Sequence, residues 1–203
     1  MPLSHFALDK FVSQQISKLT KCNAIDLSQE FNQADSWIEN YVLNSILCIQ
    51  VKDEYKPFIF GILRRAQMAL VEYENGRKSL KDYADGDKNR ISIYFRSLYH
   101  FEIAISLTYQ AHELFMKITG ARLFEKNDNS QLERLNRVYN VSKHLEPSNI
   151  PNSHLHAVWL TNEGICTNST VLKHEELADM IKDICKLADK LSNPRLPDQE
   201  GTA

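Results

Sequence analysis

The sequence predicts a mostly α fold, an antiparallel helical bundle of about five to six helices with one long central helix and a small β-hairpin before the C-terminal helix. Three observations predict it. Apolar residues recur at helical spacing through nearly the whole chain. Glycine and proline are scarce, with six of each in 203 residues, so few segments are interrupted. Only the stretch from Ala157 to Lys173 changes to a β-branched and aromatic pattern. At 43% hydrophobic the chain buries one sizeable core and is short for two. Residues 1–192 therefore read as a single domain, and 193–203, "NPRLPDQEGTA", as a disordered tail with almost nothing to bury.

Taken in order, Phe6, Phe11, Val12, Ile16 and Leu19 space a first amphipathic stretch, and Trp37, Ile38, Tyr41, Val42, Ile46 and Ile49 a denser second one. Pro57 suits the first turn of a third helix, because its missing N–H would be unpaired there anyway, and apolar residues continue from Phe58 to Tyr73. Gly76 and then "YADGDK" around Gly86 are expected to break it. The longest helix is expected within residues 88–119, with Gly120 as its terminator. Its apolar residues, from Ile91 and Tyr94 through Phe101, Ile105 and Leu114 to Ile118, occupy almost every side. Such a helix belongs at the centre of a bundle or against a second copy of the chain, so a homodimer through this face is expected. The polar "FEKNDNSQ" leads into "LERLNRVYNVSKHLEP", a helix stopped by Pro147. Next, "HAVWLTNEGICTNSTVLKH" carries a hairpin signal with its turn at Asn162, Glu163 and Gly164. "EELADMIKDICKLADKL" then returns to the helical period through Leu177, Met180, Ile181, Ile184, Leu187 and Leu191.

Composition removes several function classes. With 24 basic against 26 acidic residues, nothing global draws the chain to nucleic acid or an anionic membrane, so any such binding needs a local patch. Cys22, Cys48, Cys166 and Cys185 are scattered, as suits reduced thiols rather than a disulfide framework. The N-terminus lacks a signal-peptide pattern, and no window holds eighteen uninterrupted apolar residues; a soluble cytoplasmic protein without membrane contact is the expectation. The phosphate-binding, dinucleotide-binding, zinc-protease and serine-hydrolase signatures are absent. A di-iron bundle is excluded because no glutamate is followed three residues later by histidine. His154 and His156 would share a strand face with Cys166 and His174 across the hairpin, but the spacing is not that of a known finger, and no metal or other cofactor is expected. Arg96 and His100, four residues apart in the densest helix, read as an interior or interface pair.

The remaining candidate lies in "LERLNRVYNVSKHLEP". At about 100° per residue, Leu132, Leu135, Val138, Tyr139, Val141 and Leu145 fill one half of the helix. Glu133, Arg137, Asn140 and His144 crowd into a band about 60° wide on the other. A solvated face would be polar too. This one lines up a planar cation, an amide and the side chain that titrates nearest neutrality, a set able to hold a phosphate and move a proton.

On these residues the chain resembles the HEPN superfamily. "YNVSKHLE" follows a very long helix in a helical chain, and the family hallmark is an arginine, often followed by a polar residue such as asparagine, with a histidine four to six residues beyond. Here "RVYNVSKH" places six residues between Arg137 and His144; the spacing of Asn140 to His144 also matches the Arg-Asn-x-x-x-His form, with Tyr139 at the arginine position. The resemblance covers approximately residues 37–191. It implies either a metal-independent ribonuclease of a toxin, phage-defence or RNA-processing system, acting as a homodimer with two motifs facing across a cleft, or a non-catalytic interaction or assembly module. RNA and a cognate antitoxin or effector protein are the partners it implies. In the catalytic form His144 would transfer a proton, Arg137 would stabilise phosphoryl charge, and Asn140 would fix the imidazole or contact the phosphate. Arg137 and His144 lie about 10 Å apart along an ideal helix axis. One phosphate spans that distance only if Arg137 reaches forward, the helix loosens near His144, or a second subunit supplies one group.

Overall fold

A computed structural model describes residues 3–47, 51–86, 90–144, 147–150 and 155–193. Among these the chain forms six α-helices: α1 (His5–Phe11), α2 (Trp37–Leu47), α3 (Lys56–Asp85), α4 (Ile91–Thr119), α5 (Gln131–Lys143) and α6 (His174–Ser192). Between α5 and α6 lies an antiparallel sheet of β1 (Trp159–Leu160), β2 (Gly164–Cys166) and β3 (Val171–Lys173) in that order. The helical bundle and the small β element expected before the last helix are both present.

The frame is the pairing of α3 with α4, two helices of 30 and 29 residues. Contacts along the pair run in opposite senses, as antiparallel packing requires. Tyr83 meets Tyr94 edge-on, the Ser97 hydroxyl donates to the Gly76 carbonyl at 2.8 Å, and Arg65 donates to Gln110 at 3.0 Å. Gly76 does not break the third helix, as its sequence context suggests; α3 continues to Asp85. The reason is packing: a Cβ on Gly76 would stand 3.2 Å from the Phe101 ring, so the missing side chain admits the aromatic between the helices. The result is two long helices of nearly equal length rather than one. Pro57 lies in the first turn of α3, and Gly120, at φ 72°, ends α4 with its N–H on the Met116 carbonyl, both as expected.

Helices α3, α5 and α6 together cover α4, which leaves Tyr99 and Phe115 as its exposed large hydrophobic residues. Much of the all-round apolar character of α4 is thus satisfied within the chain. In α1, Phe6 and Phe11 are 70% and 63% exposed, whereas Leu8 and, beyond the helix, Val12, Ile16 and Leu19 are buried. The expected stripe shifts because the helix stops at Phe11 and the chain turns at Gln15, which has φ 57°. On α2, Trp37 and Tyr41 enter the core while Val42, Leu43, Ile46 and Leu47 face outward.

One hairpin was expected between Ala157 and Lys173, and the structure has two strand turns there. Leu160 pairs with Ile165, and Ile165 with Leu172. In the second turn the Thr167 hydroxyl accepts the Thr170 N–H at 3.1 Å and the Thr167 N–H donates to the Thr170 carbonyl at 2.8 Å, so Asn168 and Ser169 form its tip. The N-terminal segment closes over this sheet. The Asn162 carboxamide oxygen accepts the N–H groups of Thr20 and Lys21 at 2.9 and 3.0 Å. Gln14 donates to the His156 carbonyl at 3.1 Å. The Tyr94 hydroxyl bonds the Ser13 hydroxyl at 2.7 Å and accepts the Leu160 N–H at 3.1 Å, and burial pushes that phenol up to about 12.

No helix among the described residues is long and apolar enough to cross a membrane. The close approach at Gly76 gives a direct test of the frame. Gly76→Val forces a branched side chain into the Phe101 ring and is expected to destabilise the protein by about 1–3 kcal/mol, read as a lower midpoint in urea; an unchanged midpoint would show that the interhelical packing is loose there.

Candidate functional site

Helix α5 begins at Ser130, whose hydroxyl accepts the Glu133 N–H at 3.2 Å, and the sharp loop before it is unusual. Asn127 and Asn129 both adopt positive φ, 66° and 52°, a conformation that asparagine tolerates better than most residues. Their backbone N–H groups converge on the Glu133 carboxylate at 2.6 and 2.7 Å. Arg137, one turn on, pairs with the same carboxylate at 3.1 Å. Glu133 therefore does not belong to an open polar band; it is 4% exposed and anchors the loop to the helix. Burial raises its pKa, but the two N–H groups and the Arg137 guanidinium outweigh that effect and hold it below the ordinary carboxylate range.

The three stripe residues are distributed along the remaining length of α5. Arg137 lies half-buried over the anchored carboxylate, and Asn140 is exposed and donates to Asn136 Oδ1 at 2.9 Å. His144 is exposed and caps the helix, its N–H bonding the Asn140 carbonyl at 2.9 Å and its backbone turned out of the helix at φ −113°, ψ 87°. The helix thus ends before Pro147 rather than at it. Proline has no N–H to offer the carbonyl of Lys143, so the last turn opens early. The three residues remain on one side, but no side-chain hydrogen bond or ion pair among the described residues links them to one another.

Next to the stripe lies a groove that the motif reading missed. Between α4 and α5, Tyr99, Glu102, Ile103, Tyr139, Ser142 and Lys143 line a cleft of about 420 Å³. A second cleft of about 230 Å³ continues it toward Phe95 and His156 and shares Tyr99, Glu102 and Ser142. Tyr139, at the arginine position of the resemblance, stacks on Tyr109 with ring centres 4.8 Å apart, and the Lys143 ammonium stands 5.5 Å from the Tyr139 ring centre. The Ser142 hydroxyl donates to Glu102 at 2.9 Å. Burial pushes the Glu102 carboxyl up, and the serine bond offsets only part of this. In sequence, the signal was a lone acid within the apolar run "YHFEIAIS".

The other candidates resolve separately. His100 pairs with Glu72 of α3 at 2.6 Å, and Arg96 is exposed, so the i, i+4 pair on α4 is not formed as such. Of the zinc candidates, His154 lies outside the described residues. His156 packs its ring on Phe95, and buried His174 faces the Thr161 carbonyl at 3.3 Å, with burial pushing its pKa down to about 4. Among the described residues no group of three His, Cys, Asp or Glu could hold a metal ion. A cleft of about 430 Å³ between Lys18 and the sheet includes Cys166, but burial pushes that thiol up, away from the reactive thiolate. No family model, curated protein or solved structure matches the chain.

The Glu133 anchor yields a prediction with a definite sign. A carboxyl whose folded pKa is depressed contributes stability that is present above its unfolded pKa and is lost as pH falls through the folded value. Glu133→Gln keeps the shape and removes the charge, so its melting temperature is expected to lie below wild type at pH 7 and to converge with it in acid below the ordinary carboxylate range. Parallel melting curves across that whole range would show that the loop does not depend on the charge.

Proposed function

We propose that this chain is a HEPN-like protein that acts on RNA through the end of α5, as a metal-independent ribonuclease of a toxin or phage-defence system. The observation that carries the reading is His144: exposed, at the point where the helix opens, on the same side as an arginine whose position is fixed by the anchored Glu133. The chemistry that suits this set is attack of an RNA 2′-hydroxyl oxygen on the adjacent phosphorus. The new P–O2′ bond forms as the P–O5′ bond breaks, the 2′-hydroxyl loses its proton, and the departing 5′-oxygen gains one. The products are a 2′,3′-cyclic phosphate and a 5′-hydroxyl end. His144 serves one of these proton transfers, and Arg137 stabilises charge on the non-bridging oxygens. A homodimer setting two α5 ends across one cleft supplies a second histidine for the other transfer. An antitoxin or effector protein covering the same end would control it.

A second reading is a non-catalytic interaction module. The Arg137–Glu133 pair favours it, because an arginine already bound to an anchored carboxylate has less to gain from a phosphate.

The intact chain, purified and assayed in EDTA, is expected to cut single-stranded RNA. His144→Ala should abolish cleavage with an unchanged melting temperature, because an exposed helix-end side chain contributes little to packing. Arg137→Lys should lose most activity, since a point charge does not reproduce the planar fork. Intact RNA across diverse substrates, together with capture of a protein partner that His144→Ala weakens, would favour the second reading. Unfolding of His144→Ala would remove both.

A further inference from the structure

We propose that the groove between α4 and α5 takes a guanine base of single-stranded RNA, with Glu102 as the residue that selects it. The inference rests on the RNA reading above and names the specificity of the same helix end. One Glu102 oxygen accepts the Ser142 hydroxyl, and among the described residues no cation pairs with this half-buried carboxylate. A carboxylate drawn partly out of water without a counter-charge gains most from a ligand that brings adjacent N–H donors. Guanine carries two on its Watson–Crick edge, N1–H and the N2 amine. Uracil offers one donor between two acceptors, and adenine and cytosine each offer one amine beside an acceptor.

The walls fit the same ligand. Tyr99 is 60% exposed beside Glu102 and presents a ring on which a base can stack, which is the ordinary way proteins hold unpaired RNA bases. Lys143 lines the groove and immediately precedes His144. Of the groove residues on α5, Lys143 lies roughly a quarter-turn from the stripe and Ser142 nearly half a turn. A strand whose base enters the groove therefore carries its phosphate past Lys143 toward His144. A carboxylate between tyrosines also suits a lysine or arginine of a partner protein. Lys143 decides between the two ligands, because its positive charge at the rim repels such a cation and attracts a phosphate.

The test is fluorescence anisotropy of the intact chain with 2′-O-methyl nonauridine, which cannot be cut through a 2′-hydroxyl, and with the same oligomer carrying guanosine, inosine or adenosine at its centre. Guanosine is expected to tighten binding about tenfold over uridine, as a bidentate base contact does. Inosine, which lacks the N2 amine, should lose most of that gain without any change to the protein. Glu102→Gln should bring the guanosine and uridine oligomers to equal affinity. Equal binding of guanosine and uridine oligomers by wild type, or a preference that survives Glu102→Gln, overturns the guanine assignment and leaves the RNA reading standing. No binding to any of the four oligomers removes both. Loss of affinity for an arginine-rich peptide in Glu102→Gln, with no base preference in wild type, would assign the groove to a partner's cation instead.

Discussion

The antiparallel contact between α3 and α4 is the constraint to which the other elements are fitted. Two helices of this length bury a continuous seam, and aromatic residues fill it. Tyr73 packs edge-on against Phe101 and Tyr83 against Tyr94, with Gly76 making room in between. Polar groups in the seam are matched locally, Ser97 by a carbonyl of α3 and His100 by Glu72. Helix α6 packs on both long helices, and α5 lies on α4 and β3. The position of the stripe relative to the groove is therefore set by how α5 lies on α4, and the Ser142–Glu102 bond is a polar tie within that contact.

Much of this frame was legible in the residues. The period of α4, its glycine terminator, the proline at the start of α3 and the apolar spacing of α6 are local signals, and local signals survive into the fold. What sequence misread depended on distant neighbours. Gly76 looks like a break until Phe101, far along the chain, is placed over it. Phe6 and Phe11 look like core residues until the turn at Gln15 directs Leu8 and Val12 inward instead. The second strand turn had a signal in Thr167, Asn168, Ser169 and Thr170, but a single hairpin accounted for the β-branched pattern equally well.

The site was legible in part for the same reason. Periodicity alone put Arg137, Asn140 and His144 on one side; α5 carries the first two and ends at the third. It could not show that Glu133, in the same band, is claimed by two backbone N–H groups from a loop with left-handed asparagines. Nor could it show that His144 leaves the helix, because that depends on a proline acting backwards across four residues. The groove beside Glu102 is built from two helices and has no linear signature beyond one acid among apolar neighbours.

The closure of the N-terminal segment over the sheet bears on how the chain reaches this state. Helices α3 and α4 are consecutive and only five residues apart in sequence, 86–90, so their seam forms from neighbours at low loop-closure cost. The segment around Thr20 and Lys21, by contrast, finds its acceptor in Asn162, more than a hundred residues onward. Its hydrogen bonds close only once residues 156–162 have been synthesised. Its place over the sheet is thus held by residues far along the chain.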